Sequence, residues 1–496
     1  MTTEFNQSEI DLVESAKEAM WARGFLTDFS RDALNELSKI DHAIDSSEIE
    51  DFVDMRGKYW FSIDNDDSRD LDQLSYVEFL YNGLMKAYVA VANVSSTVHK
   101  GSAIGEHAEH NTTSVYTPTV IFPMLPEKLS TDLTSLNENE DRSAFVTEME
   151  FDAQGVMQKY KIYKAIVRNH AKLAYNAVGA WLETAENAPD LIQKSEVLEE
   201  QVKQHDILAQ KIKAFRQSKG SLSLETIEPH AVVRNRMVVD IVAEKKNRAK
   251  EIIENFMIST NTAAIKFLHE HGFPAFKRIV RVPKRWDKII DIAVKLGTSL
   301  PLEPDSKALD EFLVIQKNKD PLRFPDLSLA IVKLLGRGEY VIEYPGEEQP
   351  GHFGLALRNY SHSTAPNRRY PDLITQRLIR AVIEGKKIPY TKSEINKLAE
   401  YCTLKEADAD KVSRQTQKSA AAILLSSKIG HTFEAIVTGS SSKGTWVRVF
   451  APPVDGKLVK GFDKLNVGDR VNVKLISVDV KKGFIDFEVD HSAAVL

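Results

Sequence analysis

The chain has 496 residues, of which 43% are hydrophobic, and its 65 Lys and Arg against 71 Asp and Glu leave a formal net charge of −6. That length exceeds one ordinary core and implies two or three domains, and the negative balance argues against indiscriminate nucleic-acid binding without excluding a locally basic channel. No apolar run is long enough to span a bilayer, residues 1–6 lack the basic and apolar regions of a secretion signal, and the single cysteine, Cys402, excludes an internal disulfide framework and fits a reducing cytoplasm.

Residues 1–50 read as helices, with Leu12, Ala16 and Met20 and then Leu34, Leu37 and Ile40 at helical spacing, forming either a small cap or a helix-turn-helix. Strand signals follow at 87–94, which is β-rich, and at 145–151, which alternates, turns at Gly155 and is placed to pair with 159–167. A mostly helical stretch is expected from 168 to 270, and helices again at 368–385 and 393–427. From Gly430 onward five short β-rich runs, 432–438, 445–450, 458–462, 470–479 and 484–489, are punctuated by Gly, Ser, Pro and Asp. Five strands in about sixty residues suggest a closed barrel of the OB type, a frequent oligonucleotide binder.

Residues 64–72 hold five carboxylates in nine positions: Asp64, Asp66, Asp67, Asp70 and Asp72. Such a run repels itself, and two readings compete: a solvated acidic loop, or a site for a hard cation such as Mg²⁺, which keeps several waters and takes the rest of its shell from carboxylates and substrate phosphates. If 68–73 runs extended, Asp70 and Asp72 project to one side and Leu71 enters the core, while a turn through 65–69 returns Asp64 to the same cluster. In the barrel, alternation through 445–450 puts Trp446, Arg448 and Phe450 on one face and Val447 and Val449 on the other. An aromatic-Arg-aromatic face suits base stacking with phosphate contact, and the competing reading has Trp446 and Phe450 in the core.

Two further features carry less. His107 and His110 have no Cys or third His beside them and read as surface residues rather than zinc ligands. The basic run 277–286, which includes Trp286, reads first as a solvated edge and second as a phosphate contact.

Several motifs in order resemble the ribonuclease II family of 3′-to-5′ exoribonucleases, from about Phe52 to the C-terminus. Ile63 and Asp64 followed by Asp70, Leu71 and Asp72 resemble the family's acidic metal motif. Residues 90–101 (AVANVSSTVHKG), 113–126 (TSVYTPTVIFPMLP) with Leu129 and Ser130, and 240–244 (DIVAE) with Ile253, Glu254 and Met257 are similar to its central segments. Residues 352–357 (HFGLAL) leading to 364–372 (TAPNRRYPD) resemble its Arg-bearing catalytic segment, and the terminal barrel resembles its C-terminal RNA-binding module.

The resemblance implies an α+β fold: a helical N-terminal region over 1–50, a catalytic domain of mixed sheet and surrounding helices over 51–427, and an S1-like OB barrel over 428–496. It implies that Asp64, Asp70, Asp72 and Gln73 hold Mg²⁺ (or Mn²⁺), with Asp70, Asp72 and Arg368 catalytic. It places Tyr116, Tyr175, Glu254 and Tyr370 along the RNA, with Trp446 and Arg448 contributing from the barrel. The implied partner is single-stranded RNA; the sequence names no protein partner and no membrane.

Two departures qualify the carry-over. The family motif ends in two adjacent aspartates, and here the second is Gln73, which offers a carbonyl oxygen but no charge; Ser413 and Gln415 stand where acids usually flank the arginine at 414. The first 50 residues are also too short and too helical for the cold-shock modules of the larger members. The reading is therefore a Mg²⁺-dependent hydrolase releasing nucleoside 5′-monophosphates, with Gln73 expected to slow it. The alternatives are an RNA-binding protein that has lost turnover and a phosphodiesterase for very short oligonucleotides.

Overall fold

The computed structural model describes residues 12–44 and 51–490, apart from 82, 185–186, 235–236, 245, 322, 442–443, 464 and 466. Helices α1 (Leu12–Trp21) and α2 (Arg31–Leu37) come first, then strands β1 (Val53–Asp54), β2 (Trp60–Asp64), β3 (Gln73–Phe79) and β4 (Met85–Ala92). Helix α3 (Ala103–Asn111) and a small hairpin of β5 (Val115–Tyr116) and β6 (Ile121–Phe122) precede the long strands β7 (Asp141–Phe151) and β8 (Met157–Ala174). Six of these strands form one sheet in the order β1-β8-β2-β3-β4-β7, and β7 also pairs with β8. The sheet therefore closes on itself: β8 meets β7 antiparallel through Met157 to Arg168 and β2 in parallel through Asn169 to Ala174.

Alternation along β4 feeds two cores. Tyr88, Ala90 and Ala92 face one apolar cluster, and Ala87, Val89 and Val91 face the other. Helices cover both faces. After α4 (Tyr175–Thr184), α5 (Asp190–Gln193) and α6 (Glu196–Ser218) come the hairpin β9 (Glu228–Arg234)–β10 (Met237–Glu244) and α7 (Arg248–Glu270). Phe256 of α7 enters the second core, and Ile265 and Leu268 enter the first. Strand β11 (Ala275–Ile279), α8 (Trp286–Lys295), α9 (Ser306–Lys319), α10 (Phe324–Leu335) and β12 (Glu339–Glu343) lead to α11 (Tyr370–Ile383), most of which is buried.

Helix α12 (Lys392–Ser426) is 35 residues long and starts with a capping box, Thr391 and Glu394. Its middle (Ala409, Val412) packs with Ala16, Ala19 and Met20 of α1, and its end (Ala420 to Ala422) packs on the barrel. The barrel strands are β13 (Thr432–Ser441), β14 (Gly444–Val449), β15 (Val454–Lys460), β16 (Arg470–Asp479) and β17 (Phe484–Val489), closed in the order β13-β14-β15-β17-β16. Gly483 sits where the barrel meets α12, and a Cβ there would come within 2.8 Å of Lys418.

The five barrel strands, the β7–β8 pairing and the last two helices follow the sequence expectation. The helical stretch expected over 168–270 does not hold throughout. Strand β8 continues to Ala174, and 240–244 lie in β10, because pairing β9 with β10 buries Val238 and Ile241 against α12 and the barrel. At the N-terminus, α1 packs on α12 and α2 on α3, an arrangement of a cap laid on the body rather than a helix-turn-helix. Residues 1–11 and 45–50 of that expectation lie outside the described residues. His107 is buried against Phe29 rather than at the surface. In the basic run, Lys277 is fully buried with Glu343 of β12, and Arg278 pairs with Glu406 of α12, so acids on two neighbouring elements take up these cations. No helix among the described residues is long and apolar enough to cross a membrane.

Candidate active site

Strand β2 ends at Asp64, and the chain then turns, with Ser68 N donating to the Asn65 carbonyl at 3.1 Å. Lys172 of β8 reaches across to the Ser68 carbonyl, and the Ser135 hydroxyl accepts from Leu71 N and donates to the Arg69 carbonyl. These contacts fold the acidic run back over the end of the sheet. Leu71 enters the core as expected, and Asp70 and Asp72 join one cluster with Asp64. The ladder itself begins only at Gln73, so Asp70 and Asp72 stand on an extended lead-in rather than on the strand. Ser135 takes Leu71 N and the Arg69 carbonyl, Leu136 N takes the Leu71 carbonyl at 2.9 Å, and only the Asp72 carbonyl reaches β4, accepting from Ala92 N at 2.9 Å.

Asp72 is 2% exposed, and both its oxygens are engaged. Oδ1 accepts from Asn367 N at 3.1 Å, and Oδ2 accepts from Arg368 Nε at 3.1 Å. Asp64 Oδ1 accepts from Gln73 Nε2 at 3.4 Å, whereas Asp64 Oδ2 is buried with no hydrogen-bond partner among the described residues. Tyr116 OH donates to Asp70 Oδ2 at 3.0 Å. Burial pushes the carboxyls of both Asp64 and Asp72 up to about 7; neighbouring carboxylates add to the rise and the Arg368 guanidinium opposes it.

This donor set fits a divalent cation. A buried carboxylate oxygen without a partner beside two further carboxylates is short of positive charge, and hard oxygen donors are what Mg²⁺ takes. Among the described residues no three His, Cys, Asp or Glu side chains converge closely enough to hold a metal ion by themselves.

Other residues expected at the site divide. Glu254, on α7, lies between Lys246 and Arg216, and Tyr175 opens α4 half-buried with the Lys250 ammonium 5.8 Å from its ring centre. Trp446 is half-buried on the barrel, and Phe450 is exposed with the Arg470 guanidinium 5.4 Å from its ring centre. Val447 and Val449 face the barrel core as alternation requires.

Two expectations fail. Tyr370 is 1% exposed; its hydroxyl donates to Glu109 at 2.7 Å and accepts from Arg377, so it holds α11 in place and does not reach RNA. Arg448 is buried in a two-pronged pair with Asp455 at 2.9 and 3.0 Å and also meets the Ile227 carbonyl. Its register neighbour on β15 is that same Asp455, which captures the guanidinium.

Asn367 and Lys172 were missed. Asn367 acts through its backbone N–H, a donor that side-chain patterns do not show, and its amide is locked by Thr134 at 2.6 and 3.0 Å. Lys172 was legible in principle, since strand pairing sets it opposite Ser62, two residues before Asp64.

Fold and site together define a closed mixed sheet with carboxylates and an arginine gathered at one end, followed by a five-stranded OB-type barrel. An RNB domain matches residues 52–385 and an RNase II-type exonuclease C-terminal S1 domain matches 431–490, so the chain belongs to the RNB, ribonuclease II-type family. It is 28% identical to Ribonuclease R 1 of Lactococcus lactis over 95% of this chain and 60% of that protein. It is also 28% identical to Ribonuclease R of Aquifex aeolicus over 93% of this chain and 68% of that protein. It superimposes on Mycoplasma genitalium RNase R in complex with ribose methylated single-stranded RNA with a TM-score of 0.86 at 24% identity, covering 97% of this chain and 78% of that one. The chain thus spans roughly three fifths to two thirds of the curated relatives it matches.

Proposed function

We propose that the chain is a hydrolytic 3′-to-5′ exoribonuclease that releases nucleoside 5′-monophosphates from single-stranded RNA with Mg²⁺ as its cofactor and Mn²⁺ as a substitute. The observation that carries this is the junction of Asp72 with Arg368 beside the unpartnered oxygen of Asp64. Asp64, Asp70 and Asp72, with the amide oxygen of Gln73, would hold the ion, which when bound would activate water and stabilise the leaving 3′ oxygen. Arg368 has its Nε held by Asp72, and its remaining N–H groups are free in chemistry to grip the scissile phosphate and offset the charge that develops on it. Tyr116 supplies a ring for a terminal base, Tyr175 and Glu254 line the path of the 3′ end, and Trp446 stacks on RNA from the barrel. The three units over 1–50, 51–427 and 428–496 serve as cap, catalytic body and RNA-gathering module.

A second reading is favoured by one observation. Gln73 presents its amide N–H to Asp64, satisfying in neutral form an oxygen that a second charge would otherwise offer to an ion. That points to an RNA-binding protein without turnover. Digestion of 5′-labelled RNA by the full chain with Mg²⁺ separates the two: a ladder of shortened products, absent with Asp72→Asn while RNA binding persists, supports the exonuclease. Binding without a ladder at high protein concentration supports the second reading.

A further inference from the structure

Neither Asp64 nor Asp70 has its carboxylate held by backbone or arginine in the contacts described above; Asp64 meets the Gln73 amide, and Asp70 meets a phenol. The recorded hydrogen bond of Asp70 is the one from Tyr116 OH, at 3.0 Å to Oδ2. What holds Tyr116 is unusually well determined. Strand β5 pairs with β6 across a turn in which Thr117 N donates to the Val120 carbonyl at 3.1 Å. Ser114 N donates to the Arg368 carbonyl at 2.9 Å, joining this hairpin to the segment that carries the arginine. Ser413 of α12 donates from its hydroxyl to the Tyr116 carbonyl at 2.9 Å. Val115 and Phe122 enter a small core with Ala16, Met20 and Phe25 from the N-terminal region and Val412 from α12.

The phenol is therefore delivered to Asp70 by a frame braced on three sides. Asp70 itself sits on a lead-in that has no ladder partner of its own. We propose that the Tyr116 hydroxyl is a positioning group for Asp70: it occupies Oδ2 and leaves Oδ1 to face a divalent cation. This rests on the metal-binding reading above and is distinct from any use of the ring against a base. A hydrogen bond to the outer oxygen of a ligating carboxylate fixes its orientation, and losing such a partner commonly costs 10–100-fold in metal affinity.

The test uses Mn²⁺ alone, titrated into the full metal-free chain, with free ion followed by electron paramagnetic resonance. Binding of a fluorescent oligoribonucleotide in EDTA is measured in parallel. Tyr116→Phe keeps the ring and removes only the hydroxyl; it is expected to weaken Mn²⁺ binding about 10-fold or more, and the parallel RNA measurement in EDTA reads any effect on the ring separately from the metal. In an Asp70→Asn background the same change is expected to cost less than about threefold, because its effect runs through Asp70. Mn²⁺ affinity unchanged in Tyr116→Phe, or an equal loss in both backgrounds, overturns the proposal while leaving a metal-dependent wild-type enzyme intact. A wild-type chain that neither binds Mn²⁺ nor cleaves RNA removes the functional reading and this inference together.

Discussion

Arg368 and Asp72 meet through a single guanidinium nitrogen, Nε to Oδ2 at 3.1 Å, although 296 residues separate them in the chain. The neighbouring Asn367 N–H takes the other oxygen at 3.1 Å, so one turn of backbone both satisfies the carboxylate and aims the arginine. The pair joins the buried end of the acidic run to the start of α11.

Arg368→Lys is expected to keep a positive charge and lose the planar fork. A lysine cannot bond Asp72 through a mid-chain nitrogen while presenting other donors to a phosphate. Turnover on single-stranded RNA should fall about 10²–10³-fold with a much smaller change in KM. Steady-state kinetics at saturating Mg²⁺ reads this; an unchanged kcat would remove Arg368 from the chemistry.

Gln73→Asp exchanges an amide donor for a carboxylate next to Asp64 Oδ1, 3.4 Å away in the present chain. Less Mg²⁺ should then be needed for half-maximal activity, and in EDTA the melting temperature should drop, because two like charges are buried together. Adding Mg²⁺ should restore it. Calorimetry with and without the ion tests both halves, and a variant more stable than its parent in EDTA would contradict the assigned geometry.

Barrel residues should separate by role. Trp446→Ala is expected to weaken oligoribonucleotide binding by about 1–3 kcal/mol with little loss of stability. Arg448→Ala should do the reverse: the buried pair with Asp455 is lost, costing about 1–3 kcal/mol of stability, and RNA affinity should hold. Fluorescence anisotropy and urea unfolding of the same two proteins give the comparison.

Acid sensitivity follows from buried neutral histidines. His205 donates from Nδ1 to the Gln201 carbonyl at 2.6 Å and accepts at Nε2 from Ser75 at 3.0 Å, between the rings of Phe61 and Phe256. Burial lowers its pKa to about 3, and burial likewise lowers those of His107 and His352 to about 4. An unfolded histidine takes its proton near 6.5, so from about pH 6.5 down to about 4 the unfolded chain binds protons that the folded chain refuses. The histidines therefore contribute a loss of stability as pH falls across that window, while the raised carboxyls of Asp64 and Asp72 contribute the opposite sign below about 7 in the metal-free chain, so the histidine slope is read as the difference between the parent and a histidine variant. Urea titrations of the parent and His205→Gln at a series of pH values should show this difference, with the variant also less stable at neutral pH.

The acidic run left a solvated loop and a cation site both open, because close spacing alone does not say which way carboxylates turn, whereas the barrel announced itself through alternation and turn residues. Leu71 pointed inward as period-two geometry requires. What sequence could not carry were the long-range competitors. Asp455 captured Arg448, Glu109 captured Tyr370, and Ser135 captured the N–H of Leu71, each through a partner fixed only by tertiary packing. The β9–β10 hairpin was hidden for a related reason: its apolar residues gain burial only once α12 and the barrel are in place.

Helix α12 touches α1, receives the Tyr116 carbonyl at Ser413, meets β9 through Gln417 and carries the barrel on its last turns. It works as a keyed shaft. Each residue of helix advances about 1.5 Å and rotates about 100°, so inserting one residue past Gln417 would swing the barrel out of line with the acidic cluster while both halves kept their own cores. The aim of the barrel is written in the residue count of that helix.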